Sequence, residues 1–144
     1  MGAAHPADHR RRDHRNTVLA TVVLALVLLT PGDTMPSDDE LPWFLALPWV
    51  QAWGDKVVHG LLFFVHTALL SRSVRHGAFA LPHAVTLGLA MLLATGTEFF
   101  QQFVPGRQGS LGDLVANSLG IALALGLATV GSRKSPAPRE IINP

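Results

Sequence analysis

The sequence predicts an all-α fold: a small polytopic membrane protein built as a four-helix transmembrane bundle, with both termini cytoplasmic. Three observations carry this. Of 144 residues, 49% are hydrophobic and only 15% charged, against about a quarter charged in soluble domains, and the mean hydropathy is +0.33. The apolar residues gather in four stretches separated by Pro-Gly, acidic or arginine-bearing segments. The basic residues are also partitioned. Nine of the eleven Lys and Arg lie before the first stretch, between the second and third, or after the fourth, as loops on the cytoplasmic side do. The length suits one domain. Without cysteine there is no disulfide framework, Cys-ligated zinc or thiol nucleophile. A net charge of +1 supplies no basic field for nucleic acid, so no nucleic-acid partner is expected.

Residues 1–16 read as a cytoplasmic tail, with Arg10, Arg11, Arg12 and Arg15 beside Asp8 and Asp13. A membrane domain over 17–131 follows. Its first span, about 17–31, is ended by Pro31-Gly32 and is short against the usual 17–25 or so residues. A signal peptide is the rival reading; no clear A-x-A cleavage site is present, and a short first helix is preferred. Residues 33–53 read as a loop, acidic through Asp33, Asp38, Asp39 and Glu40, then holding Trp43, Trp49, Trp53 and Phe44. Pro42 and Pro48 break any long helix there, and the tryptophans fit either the bilayer interface or a lid on the bundle. The second span covers about 56–71, the third 79–103 with Pro82 in its first turn, and the fourth 111–130 after Pro105-Gly106. Ala116, Gly120, Ala124 and Ala128 recur every fourth residue in the fourth span, a stripe that lets helices approach closely in lipid. Residues 132–144 are polar and Pro-rich and read as a cytoplasmic disordered tail.

This orientation puts one set of polar residues at the external face. Asp55, Lys56 and His59 open the second span; Glu98, Gln101 and Gln102 close the third; Arg107 is in the turn; Asp113 and Asn117 open the fourth. Asp55 and His59 are i,i+4, as are Asp113 and Asn117, while Glu98 and Gln101 are i,i+3, so each set shares a helix face. Ionisable groups in membrane segments are expected to pair or to line a wet cavity. Lys56 and Arg107 are expected to neutralise the acids, with Arg107 assigned to Glu98 or Asp113. Plainer readings stand beside these. Asp55 after Gly54 can be an N-cap, Ser110-x-x-Asp113 matches a capping box, and Lys56 can snorkel. Gln102 reads as interfacial, and His66 and His83 as structural. Glu98, late in an apolar helix, is hardest to explain without a site role.

Asp55-Lys56-x-x-His59, Glu98-x-x-Gln101, Pro105-Gly106-Arg107 and Asp113-x-x-x-Asn117-x-x-Gly120 stand in this order over most of residues 54–126. In these motifs the chain resembles the VanZ-like membrane proteins. The resemblance implies a small multi-span protein of the bacterial cell envelope, in the cytoplasmic membrane, from a family whose name-giving member is associated with resistance to the glycopeptide teicoplanin. The family often has Tyr four residues after the histidine; here that position is Phe63.

Three functions fit the cluster. The first is binding: helix N-termini favour anions, and Arg107 and Lys56 would meet a phosphate or carboxylate. An anionic lipid or lipid-linked cell-wall precursor would then be held by Asp55, Lys56, His59, Glu98, Gln101, Arg107, Asp113 and Asn117, with its hydrocarbon chain between helices. Three carboxylates oppose this unless paired. The second is a membrane hydrolase or transferase on a lipid-linked substrate, with Glu98, His59 and Asp113 as catalytic candidates. The third is a structural subunit of an envelope complex, its helices ordered by a polar network. Metal-assisted hydrolysis with His59 and the carboxylates is a variant of the second, but no H-E-x-x-H pattern is present, and neither a metal nor another cofactor is expected.

Overall fold

A computed structural model of the chain describes residues 6–34, 42, 47–76, 79 and 81–133. Four helices follow one another: α1 (Pro6–Leu28), α2 (Pro48–Arg75), α3 (Pro82–Gln101) and α4 (Leu111–Arg133), with a 3-10 turn at Gly32–Thr34. The segments Trp53–Arg75, Pro82–Gln101 and Leu111–Val130 are long and apolar enough to cross a membrane. The acidic residues 38–40, Trp43, Phe44 and the tail beyond 133 lie outside the described residues.

The bundle is built inside-out relative to a soluble domain. Its buried stripes are small or polar: Thr86, Ala90, Ala94, Thr97, Glu98 and Gln101 on α3, and Asp113, Asn117, Gly120, Ile121 and Ala124 on α4. Large apolar residues such as Leu92, Leu119, Leu123 and Leu127 point outward. The spacing of three and four is that of a single helix face, and the polarity is that expected when the outer solvent is hydrocarbon. Leu24 and Leu28 of α1, Phe63 of α2, Ala90 and Ala94 of α3 and Ile121 of α4 meet at the centre.

Two helices begin earlier than the pattern of residues suggests. α1 starts at Pro6 and carries the basic segment as its first half, leaving twelve residues from Thr17 to Leu28 after it. These give about 18 Å of helix against about 30 Å of hydrocarbon. α2 starts at Pro48, where proline occupies the first helical turn and breaks nothing. Asp55 therefore lies two turns inside α2, and its reading as an N-cap is excluded; the residue at the cap is Leu47. Trp49 and Trp53 are on the outward face of α2's first turns, 65% and 63% exposed.

α1 packs antiparallel to α2. At one end His14 and Asp13 bond Ser73 and His76; in the middle His66 Nε2 meets Thr21 Oγ1 at 2.9 Å. The Thr21 hydroxyl donates to Thr17 O, so it accepts from the histidine, which joins α1 to α2. α2 and α4 approach most closely. A Cβ on Gly60 would stand 3.3 Å from Ala116 O, and one on Gly120 would collide with Gly60 O, so the small-residue stripe is the seam between these helices.

Candidate functional site

The polar groups concentrate where α1 and α3 end and α4 begins. α1 must stop at Pro31, which has no N–H to continue the ladder, leaving the last carbonyls without helical donors. Leu29 N–H takes Ala25 O and the Thr30 hydroxyl takes Leu26 O. The next carbonyls are met from the far side of the chain. Arg107 Nη2 donates to Val27 O at 3.3 Å, Gln101 Nε2 to Leu28 O at 2.9 Å and Arg107 Nε to Thr30 O at 3.1 Å. Arg107 is aimed there by a tight turn. Its N–H bonds Val104 O at 3.1 Å, Pro105 occupies the second position, and Gly106 has φ 69°, as a type II turn requires. The remaining arm, Nη1, reaches Asp55 Oδ1 at 3.4 Å.

The start of α4 is capped by Ser110, whose Oγ accepts from Asp113 N–H at 3.0 Å while its hydroxyl proton goes to Asp113 Oδ2. A standard capping box would also return the third-position acid to the cap's own N–H. Here that N–H donates to Glu98 Oε2 at 3.0 Å instead. The diversion ties the end of α3 to the start of α4 and leaves Asp113 Oδ1 facing into the cluster, 3.6 Å from Lys56 Nζ.

Glu98, Asn117 and His59 form a relay across three helices. Asn117 Nδ2 donates to Glu98 Oε1 at 2.9 Å, and Asn117 Oδ1 lies 3.1 Å from His59 Nδ1. Glu98 Oε1 is also 3.4 Å from that nitrogen. All three side chains are buried. Ionised, Glu98 only accepts, so the amide must present its NH2 to it and its oxygen to His59, and Nδ1 must carry the proton. His59 Nε2 then faces the other way, 3.9 Å from Asp55 Oδ1. His59 Nε2 and Asp113 Oδ1 are both buried with no hydrogen-bond partner among the described residues.

A family model described as VanZ/LLP1 matches residues 6–132. The chain belongs to the VanZ/LLP1 family. The VanZ/LLP1 match takes in the basic first half of α1 as well as the three long apolar helices. No curated protein and no solved structure matches.

Within this VanZ/LLP1 chain, the eight residues singled out from the sequence divide into two groups. Asp55, Lys56, His59, Glu98, Asp113 and Asn117 converge, with Arg107 at their edge. Gln101 instead turns to α1 and closes its end. The charge pairing also differs from the expected one. Arg107 meets Asp55 and helix carbonyls rather than Glu98 or Asp113, and the partner of Asp113 is Lys56. Ser110, read from the sequence as a cap alone, is also the residue that fixes Glu98. Phe63, in the position where the family often has Tyr, is fully buried in the core and packs edge-on to His66.

Proposed function

We propose that this VanZ/LLP1 protein is a multi-pass protein of the bacterial cytoplasmic membrane that holds an anionic lipid head group or lipid-linked cell-wall precursor at this polar cluster. In this reading α1 is a short fourth span, both termini are cytoplasmic and the cluster is external. One observation supports it most. An apolar groove of about 550 Å³ runs between α2 and α4, with Gly60, Phe64, Leu119 and Leu123 in its walls, and it ends at Lys56. Lys56 stands at the first turn of α4: a Cβ on Gly112 would lie 3.7 Å from its Nζ. A hydrocarbon chain in the groove would bring its phosphate to a lysine and to a helix N-terminus together.

The objection from the carboxylates is weakened by their pairing. Asp113 is met by Lys56 and Ser110, Asp55 by Arg107, and Glu98 is enclosed by Asn117 and Ser110. The proposal is tested by native mass spectrometry of the purified protein with a polyprenyl phosphate. Retention is expected in the wild type and is expected to fall in Lys56→Gln and in Leu123→Trp, which fills the groove. Equal retention in all three overturns the reading. In cells at matched expression, wild type and Lys56→Gln are expected to differ in teicoplanin susceptibility.

A further inference from the structure

We infer that Asp55, His59 and Asp113 form a binding site for a divalent first-row metal ion, with His59 Nε2 as the nitrogen ligand. Each side chain offers one ligand atom, and these atoms lie within 4.8 Å of one another. The cluster of acids is not what carries the inference; the orphaned histidine nitrogen is. His59 is fully buried, at 0% exposure, and Asp113 is 4% exposed. Among the described residues neither His59 Nε2 nor Asp113 Oδ1 has a hydrogen-bond partner, the nearest cation to Asp113 Oδ1 being Lys56 Nζ at 3.6 Å. With Glu98 ionised, the Glu98–Asn117 relay places the proton on Nδ1, so Nε2 presents a lone pair toward two carboxylate oxygens. Lys56 and Arg107 meet the two carboxylates from outside but neither donates to Nε2, and a buried lone pair facing carboxylate oxygens favours a cation placed between them.

The arrangement behind His59 is the one metal-ligating histidines use. The ring N–H is donated to an amide oxygen backed by a carboxylate, which fixes the tautomer and raises the basicity of the ligating nitrogen. One imidazole and two carboxylates suit zinc or manganese, and a three-ligand set leaves a position open for an exogenous oxygen. Metal–ligand bonds of about 2.1 Å require ligand atoms roughly 3.4 Å apart, so the set must contract slightly. Asp55 is exposed, and releasing Arg107, 3.4 Å from its Oδ1, would let it do so. Lys56, 3.6 Å from Asp113 Oδ1, would swing away.

The charge balance gives the metal a consequence. With neutral His59, the three carboxylates and two cationic side chains leave the cluster with one net negative charge, and a divalent ion turns this to one net positive. The open coordination position and the released Lys56 would then both face an anion. This consequence rests on the head-group reading; the metal site does not.

The test uses the full chain in detergent, stripped with chelator and titrated with Co²⁺ in the absence of lipid. One equivalent is expected to bind, with visible absorption of a nitrogen–oxygen ligand set, and to be displaced by Zn²⁺. Asp55→Asn, at an exposed position, should keep wild-type helicity and weaken binding by about tenfold or more. His59→Gln should abolish it. The double variant His9→Gln/His14→Gln should bind as wild type. Absence of binding by the wild type overturns the site. So does affinity unchanged in Asp55→Asn, or binding lost in the double variant, which would assign the metal to the basic half of α1. Lipid retained by chelator-treated protein that binds no metal overturns the site and leaves the head-group reading standing; metal bound without lipid retention does the reverse.

Discussion

Asn117 donates with one end of its amide and accepts with the other, and both partners are fixed. This makes substitutions at the relay unequal in a way the residue types do not suggest. Glu98→Gln keeps volume, but Glu98 accepts with both oxygens, from Asn117 and from the Ser110 N–H. A glutamine has one acceptor oxygen, so a bond is lost, costing about 1–3 kcal/mol. Asn117→Asp sets a second carboxylate against Glu98 and removes the amide N–H that Glu98 accepts, leaving His59 Nδ1 to face both. An uncompensated buried charge costs about 3–5 kcal/mol. Unfolding in detergent is expected to rank Asn117→Asp below Glu98→Gln and both below wild type; the opposite order would show that Glu98 does not accept from Asn117. At this scale the sequence was partly legible. Glu98 and Asn117 stood out because charge and amide are conspicuous in apolar helices. Arg107's partners were not legible, because counting charges pairs it with acids, whereas it mostly serves backbone carbonyls that exist only once α1 has ended at Pro31.

Helix α4 reads plainly as a packing element from its small residues, and its partner is α2. The stripe marks a close approach but carries no register; that is set by Gly60, a lone glycine in an otherwise bulky stretch. Gly120→Leu places a side chain into the backbone of Gly60, which cannot yield without separating the helices. Gly126, on the same helix, has nothing within 4 Å of its Cβ position. Gly126→Ala should stabilise by up to about 1 kcal/mol through helix propensity, while Gly120→Leu should abolish the folded, monodisperse protein in size-exclusion chromatography. Equal behaviour of the two would rule out the observed α2–α4 crossing. The starts of α1 and α2 were the least legible boundaries. Pro48 reads as a break, yet at a first turn proline is compatible with the helix, as it is at Pro6.

The whole molecule is legible in outline because hydrocarbon solvent imposes a coarse rule. Long apolar helices must cross, and polar groups must face one another; hence three membrane-length helices and a shared polar end. The middle of the bundle was less legible. Thr17, Thr67, Ser71 and Thr86 are all buried among the helices, and residues of that kind stand out little in an apolar run. The proposed orientation makes a prediction at this scale. In this cysteine-free chain, Ser37→Cys should be labelled by an impermeant thiol reagent on intact cells, and Arg72→Cys only after permeabilisation. The reverse pattern would place the polar cluster on the cytoplasmic side.

The end of α1 waits on residues that lie 73 to 80 positions further along the chain. During synthesis, α1 emerges with Val27, Leu28 and Thr30 carbonyls that no neighbouring segment serves. Water or lipid head groups must hold them until Gln101 and Arg107 have left the ribosome. The carbonyl end of α1 is thus made early and closed late. A chain arrested between α2 and α3 therefore keeps that end open, because the groups that close it, Gln101 and Arg107, are not yet made.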